Sequence, residues 1–127
     1  MRERGLTLVE LMVTVVVIVI LATVGAPNLS RFLDNARAAS TANSLLGSLQ
    51  LARSNAIRFA STQQQGTYTV ARNTQVTGSA ATFGPTGSVI VDPAASYSLT
   101  YVITSGSASR CIELTISGSA EVIPCAN

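Results

Sequence analysis

Glu10 is the only charged side chain between Arg4 and Arg31. It stands at the edge of an apolar segment, Met12 to Ala26, broken only by Thr14 and Thr23. Holding a charged side chain at the centre of a bilayer costs about 2.5–3.5 kcal/mol even on a lenient insertion scale. An acid so placed calls for a partner charge. The second pair of reactive side chains is Cys111 and Cys125, close together near the C-terminus. After an export-type segment such a pair reads as a disulfide formed outside the cytoplasm, with two buried thiols as the alternative. Little other chemistry is on offer. His is absent, and a His-based triad or a protein-only zinc site lacks its ligands. Asp34, Asp92, Glu113 and Glu121 are scattered, and no Gly-rich phosphate loop precedes a helix. No enzyme, metal or cofactor is expected.

Charge and composition narrow the partners. All eight basic residues are Arg, and the net charge is +2. Such a weak balance gives no global case for binding nucleic acid. Hydrophobic residues make up 47% of the 127 but aromatics only 5%, so the core must be aliphatic and rich in Ala.

The elements that hold these residues follow from periodicity. Arg2 and Arg4 precede the apolar run, and the next charges are Arg31 and Asp34. The positive-inside rule then keeps the N-terminus cytoplasmic and sends the rest across the membrane. From Leu6 to Ala26 the segment is apolar on every side, and in lipid only a helix satisfies its backbone. Pro27 removes one intrahelical donor, which predicts a kink or loosened turn. Beyond it, Leu29, Phe32, Leu33, Ala36, Ala39, Leu45, Leu46, Leu49, Ala52, Ala56 and Phe59 recur at three- and four-residue steps. This pattern predicts one amphipathic helix to about Ser61, with Gly66 as a C-cap.

After Gly66 the period becomes two. Strands are expected at Thr67–Ala71, Gln75–Thr77, Ser88–Val91, Tyr97–Thr104, Arg110–Ser117 and Ala120–Pro124. Tyr97, Leu99, Tyr101 and Ile103 should share a face, and Thr77 to Ser88 should be irregular. A hairpin symmetric about Gly118 would set Cys111 opposite Cys125, Glu113 opposite Ile123, Thr115 opposite Glu121 and Leu114 opposite Val122.

The opening residues resemble the type IV pilins and the pseudopilins of type II secretion. A leader ends in Gly5, and Leu6 stands where a phenylalanine is usual. Thr7-Leu8-Val9-Glu10-Leu11 and an apolar helix with Pro27 follow. The block Leu49 to Ile57-Arg58, Phe83-Gly84-Pro85-Thr86-Gly87 and the closing hairpin further resemble the FimT/GspH branch. The resemblance implies an α+β pilin fold, a long N-terminal helix packed on a C-terminal antiparallel sheet. It divides the chain into a leader, 1–5, a transmembrane and filament-core helix, 6–27, and a periplasmic globular domain, 28–127, with its helix to about 62 and its sheet about 67–124.

The resemblance also implies processing. A prepilin peptidase and methylase would cut after Gly5 and methylate the new Leu6 amine. In a filament the Glu10 carboxylate would meet that amine on a neighbouring subunit and set register. The implied partners are other pilin or pseudopilin subunits, the processing enzyme, and inner-membrane lipid before assembly. The implied role is a minor subunit that initiates or caps a filament.

Three other readings stand beside it. A secretory signal peptide cut after Ala26 conflicts with Pro27 and Glu10. A membrane-anchored module that never polymerises is the second. The third is a DNA-binding pilus tip. Relatives that bind DNA carry Gly-Arg-x-Arg in the last hairpin, where this chain has Gly118-Ser119-Ala120-Glu121, so DNA is not an expected partner.

Overall fold

The computed structural model describes residues 7–91 and 98–125. Its helix α1 runs from Leu8 to Arg58, 51 residues, with Pro27 inside it. Six strands follow: β1 (Gln63–Gln64), β2 (Thr74–Thr77), β3 (Thr82–Phe83), β4 (Ser98–Ser105), β5 (Ala108–Thr115) and β6 (Ala120–Ile123). The chain divides into two compact units, one ending at Leu33 and one beginning at Asp34.

From Leu11 to Ala26, in the first unit, α1 is apolar on every side and uncovered. Apolar side chains from Leu8 to Val24 are between 48% and 76% exposed. The only polar breaks answer to their own helix. Thr14 Oγ1 donates to the Leu11 carbonyl and Thr23 Oγ1 to the Ile20 carbonyl, each at 2.8 Å. Such back-bonding satisfies a hydroxyl without water. Pro27 has no amide hydrogen for the Thr23 carbonyl, yet the helix continues through it.

The second unit is an α+β head. Ala38, Ala42, Leu45, Leu49, Ala52 and Ala56 step by four and three along one stripe of α1, and all are buried. They pack with Phe83, Val89, Tyr101, Ile103, Ile112 and Leu114. Thr41 and Ser48 are buried on the same side. The stripe therefore differs from the expected one. Leu45, Leu49, Ala52 and Ala56 belong to it. Ala36 is exposed, in phase with the exposed Ser40, Asn43 and Gly47. Leu29, Phe32 and Leu33 are exposed in the first unit, and exposed Phe59 lies past the helix end.

That end is at Arg58, short of Ser61, and Gly66 is not its cap. Ser61 N–H bonds the Ala56 carbonyl at 3.2 Å and Ala60 N–H the Ile57 carbonyl at 3.3 Å. These are the two bonds of a Schellman motif, with Ala60 in the left-handed position at φ 47°.

Four strands form one antiparallel sheet in the order β2-β4-β5-β6, while β1 pairs only with β3. Leu99, Tyr101 and Ile103 point to the core side, as their alternation predicted; Tyr97 lies outside the described residues. Thr67–Ala71 is not a strand. Its Thr69 and Ala71 amides bond the hydroxyls of Ser44 (2.8 Å) and Thr41 (3.0 Å) on α1, so no ladder satisfies them. Ser88–Val91 contributes only a bridge between Val89 and Phe83, and Thr77–Ser88 is less irregular than expected because it contains β3.

The last hairpin is shifted. Cys111 faces Ile123, Ile112 faces Val122, Glu113 faces Glu121 and Leu114 faces Ala120, two residues from the symmetric pairing. The turn explains the shift. Gly118 N–H bonds the Thr115 carbonyl and Thr115 N–H the Ser119 carbonyl, both at 2.9 Å, with Gly118 at φ 79°. This is a three-residue loop closed by a left-handed glycine, so the hairpin centres on Ser117. A shift of two keeps every side chain on its face, which is why the core survives it.

The same bonds recur at Gly84–Ser88, with Gly87 at φ 78°. The two turns touch. A Cβ at Gly118 would strike the Gly87 carbonyl, and one at Gly87 would meet Ile57 Cδ1 at 2.6 Å. Both positions require glycine twice over, for φ and for space.

Candidate assembly site

The helix start is built by Thr7. Its Oγ1 accepts the Glu10 amide hydrogen at 3.3 Å, and its carbonyl accepts the Leu11 amide at 3.2 Å. Thr7 is thus the N-cap and Glu10 the third helical residue. Thr7-x-x-Glu10 is the sequence pattern of a capping box, a signal of the helix start that the sequence itself carries. Glu10 is exposed, and its place in the first turn suits a carboxylate, because the helix dipole is positive there. Gly5 and Leu6 lie outside the described residues.

The stretch that carries Glu10 near its start has the dimensions of a bilayer core. Leu8 to Pro27 is twenty residues, a rise of about 30 Å. By length and composition α1 can cross a membrane, and none of its most apolar window is buried. Glu10 and Pro27 sit towards opposite ends of this stretch and do not form a pocket together. What the site offers is an uncovered cylinder with one carboxylate near its start.

The remaining candidate residues lie in the head. Cys111 and Cys125 are joined by a disulfide. Because Cys111 stands opposite Ile123, Cys125 reaches it from beyond the end of β6, after Pro124 has ended the strand. Cys111 is 3% exposed although it faces away from α1. On that same side Glu113 and Glu121 stand directly opposite each other, so the hairpin presents two carboxylates. Arg110 is not beside them. It alternates onto the core side with Ile112 and Leu114, half-buried, its Nε without a hydrogen-bond partner. Among the described residues the only ion pair is Arg37–Asp34, at 3.4 Å, and no group of three His, Cys, Asp or Glu could hold a metal.

The Tyr101 phenol is changed by its burial. Its hydroxyl donates to Gln65 Oε1 at 2.9 Å. Burial raises its pKa and the charge of Tyr68 adds to this, against the hydrogen bond from the Ala81 backbone. The raised pKa keeps the phenol neutral, and its hydrogen bond ties Gln65 to the sheet, a structural task.

Residues 1–26 match the family described as the prokaryotic N-terminal methylation motif. No curated protein and no solved structure matches the chain. The motif indicates a type IV pilin-like or pseudopilin-like subunit, a structural component that assembles with other pilin subunits and is acted on by a prepilin peptidase. Together with the apolar helix it is consistent with membrane anchoring.

Proposed function

We propose that the chain is a minor pilin or pseudopilin of the FimT/GspH type, a structural subunit that helps initiate or cap a type IV pilus or a type II secretion pseudopilus. The supporting observation is the conjunction of the methylation motif with a helix that is apolar on all sides and uncovered from Leu11 to Ala26. In this reading Met1–Gly5 is removed and the Leu6 amine is methylated. Residues 6–27 cross the inner membrane and then pack in the filament, with the N-terminus cytoplasmic and residues 28–127 periplasmic. Glu10 pairs with the Leu6 amine of a neighbour, and Pro27 bends the helix where lipid gives way to water. The head carries no catalytic role; its sheet and disulfide make it a rigid cap on the helix.

Mass spectrometry of protein extracted from membranes and from sheared filaments tests this. The expected species in both fractions begins at N-methylated Leu6. An intact Met1 in a host with a working prepilin peptidase overturns the processing, and absence from filaments overturns the subunit role.

A further inference from the structure

Arg53 extends from α1 onto the two turns that touch each other. A Cβ at Gly118 would lie 3.0 Å from its Nε, and one at Gly87 3.3 Å from it. Held between these glycines, Nε is buried and has no hydrogen-bond partner among the described residues. The turn hydroxyls do not serve it, because Thr86 pairs with Ser88 and Thr115 with Ser117, each at 2.8 Å. Arg53 makes no ion pair among the described residues either. The residue as a whole is half-buried, so a partner can reach it. A guanidinium pinned in place with its donors unspent suits a carboxylate, which accepts two parallel N–H bonds.

The complementary charge lies on the other face of the sheet. Glu113 and Glu121 stand directly opposite each other there, and their neighbours on that face are Thr100, Thr115, Cys111 and Ile123, none of them cationic. Like charges so placed weaken a strand pair until a cation joins them. Arg53 reaches the sheet from the α1 side and the acids face away from it, so one chain does not bring them together.

We propose that Arg53 is the seat for the Glu113–Glu121 pair of a second copy of this chain. The contact joins two different surfaces, and each added copy leaves one seat and one acid pair free. Such a heterologous contact builds a ring or an open helix, never a two-fold pair, and a filament takes the open form. The choice of a second copy rests on the subunit role proposed above.

The chain has no lysine, so Arg53→Lys keeps the charge and introduces the only side-chain amine. Two differently tagged full-length forms of this variant are co-expressed, and the sheared filaments are treated with a zero-length carbodiimide. The expected product carries both tags, its new amide joining that lysine to Glu113 or Glu121 of the other copy. Filament-borne chain that gives no such product overturns the contact, as does a crosslink from that lysine to another carboxylate or another protein. Charge exchange tests the energetics. Arg53→Glu alone, and Glu113→Arg with Glu121→Arg alone, should each lower recovery in filaments by roughly tenfold or more, and co-expressing the two should restore it. Unrescued loss in heads that melt as wild type overturns the contact. Wild-type chain absent from filaments overturns the subunit role, and this contact with it.

Discussion

One helix passes through two environments, and its halves contradict the simplest rule about burial. From Leu8 to Leu33 it carries the most apolar side chains of the chain, and none is buried. From Asp34 to Arg58 its buried residues are Ala38, Thr41, Ala42, Leu45, Ser48, Leu49, Ala52 and Ala56, four of them alanines and two with hydroxyls. A stripe of small residues lets a sheet pack closely, whereas a cylinder of Val, Ile and Leu with no polar side needs lipid or other helices around it. Apolarity measures what a segment requires; whether the chain itself supplies it depends on having a partner surface.

Changes confined to one half should therefore leave the other unaffected. The largest effect is expected at Glu10. Glu10→Ala should still be inserted and processed, but its recovery in sheared filaments should fall on the order of tenfold or more, since it leaves a Leu6 amine unpaired in an apolar core. The head should melt as in wild type. Recovery at the wild-type level would remove the registering role.

Next in size is a matched pair, Leu45→Ala and Leu21→Ala. The first empties a fully buried site and should cost about 2–5 kcal/mol. The second, in the uncovered half, should change head stability by less than about 0.5 kcal/mol. All three tyrosines lie beyond Gly66, so the tyrosine band of the near-ultraviolet circular dichroism of the full chain in detergent reports the head alone. Equal losses in the two variants would show that the halves are coupled.

Reduction of Cys111–Cys125 acts only on the head. A crosslink with a sequence separation of 14 contributes roughly 3 kcal/mol. Its loss should lower the melting point by several degrees in the same assay, with membrane extraction unchanged. An unaltered midpoint would mean that β6 and the chain beyond it hold without the staple.

The smallest effect is a gain. Ala60 holds the left-handed place that glycine usually fills in such a helix end, so Ala60→Gly should stabilise the head by about 1 kcal/mol. A lower melting point instead would show that the Ala60 methyl makes a contact worth more than the strain.

Much of this was legible without coordinates, because the signals were local. An unbroken run of apolar residues dictates a helix in lipid whatever surrounds it, and the charges of Arg2 and Arg4 lie beside it in sequence. The period-two stretch Leu99 to Ile103 read as a strand because alternation is a property of the strand itself. The helix start was also written locally, in Thr7-x-x-Glu10.

Where two segments had to agree, tertiary structure decided. Composition set the need for an Ala-rich core, but Ala36 and Ala38 differ only in phase, and the sheet chose the stripe. Thr67–Ala71 has strand-forming residues, yet its amides bond Thr41 and Ser44, some 25 to 30 positions away. Gly118 announced a turn; the left-handed conformation that closes its loop moved the hairpin centre to Ser117 and set Glu113 against Glu121. Sequence by itself determined the long helix, the strands of the main sheet and the segment that requires lipid, since those follow from forces within a few residues. Register, the buried stripe and the path of Cys125 to Cys111 were decided only when distant surfaces met, because packing and hydrogen-bond satisfaction belong to both partners at once.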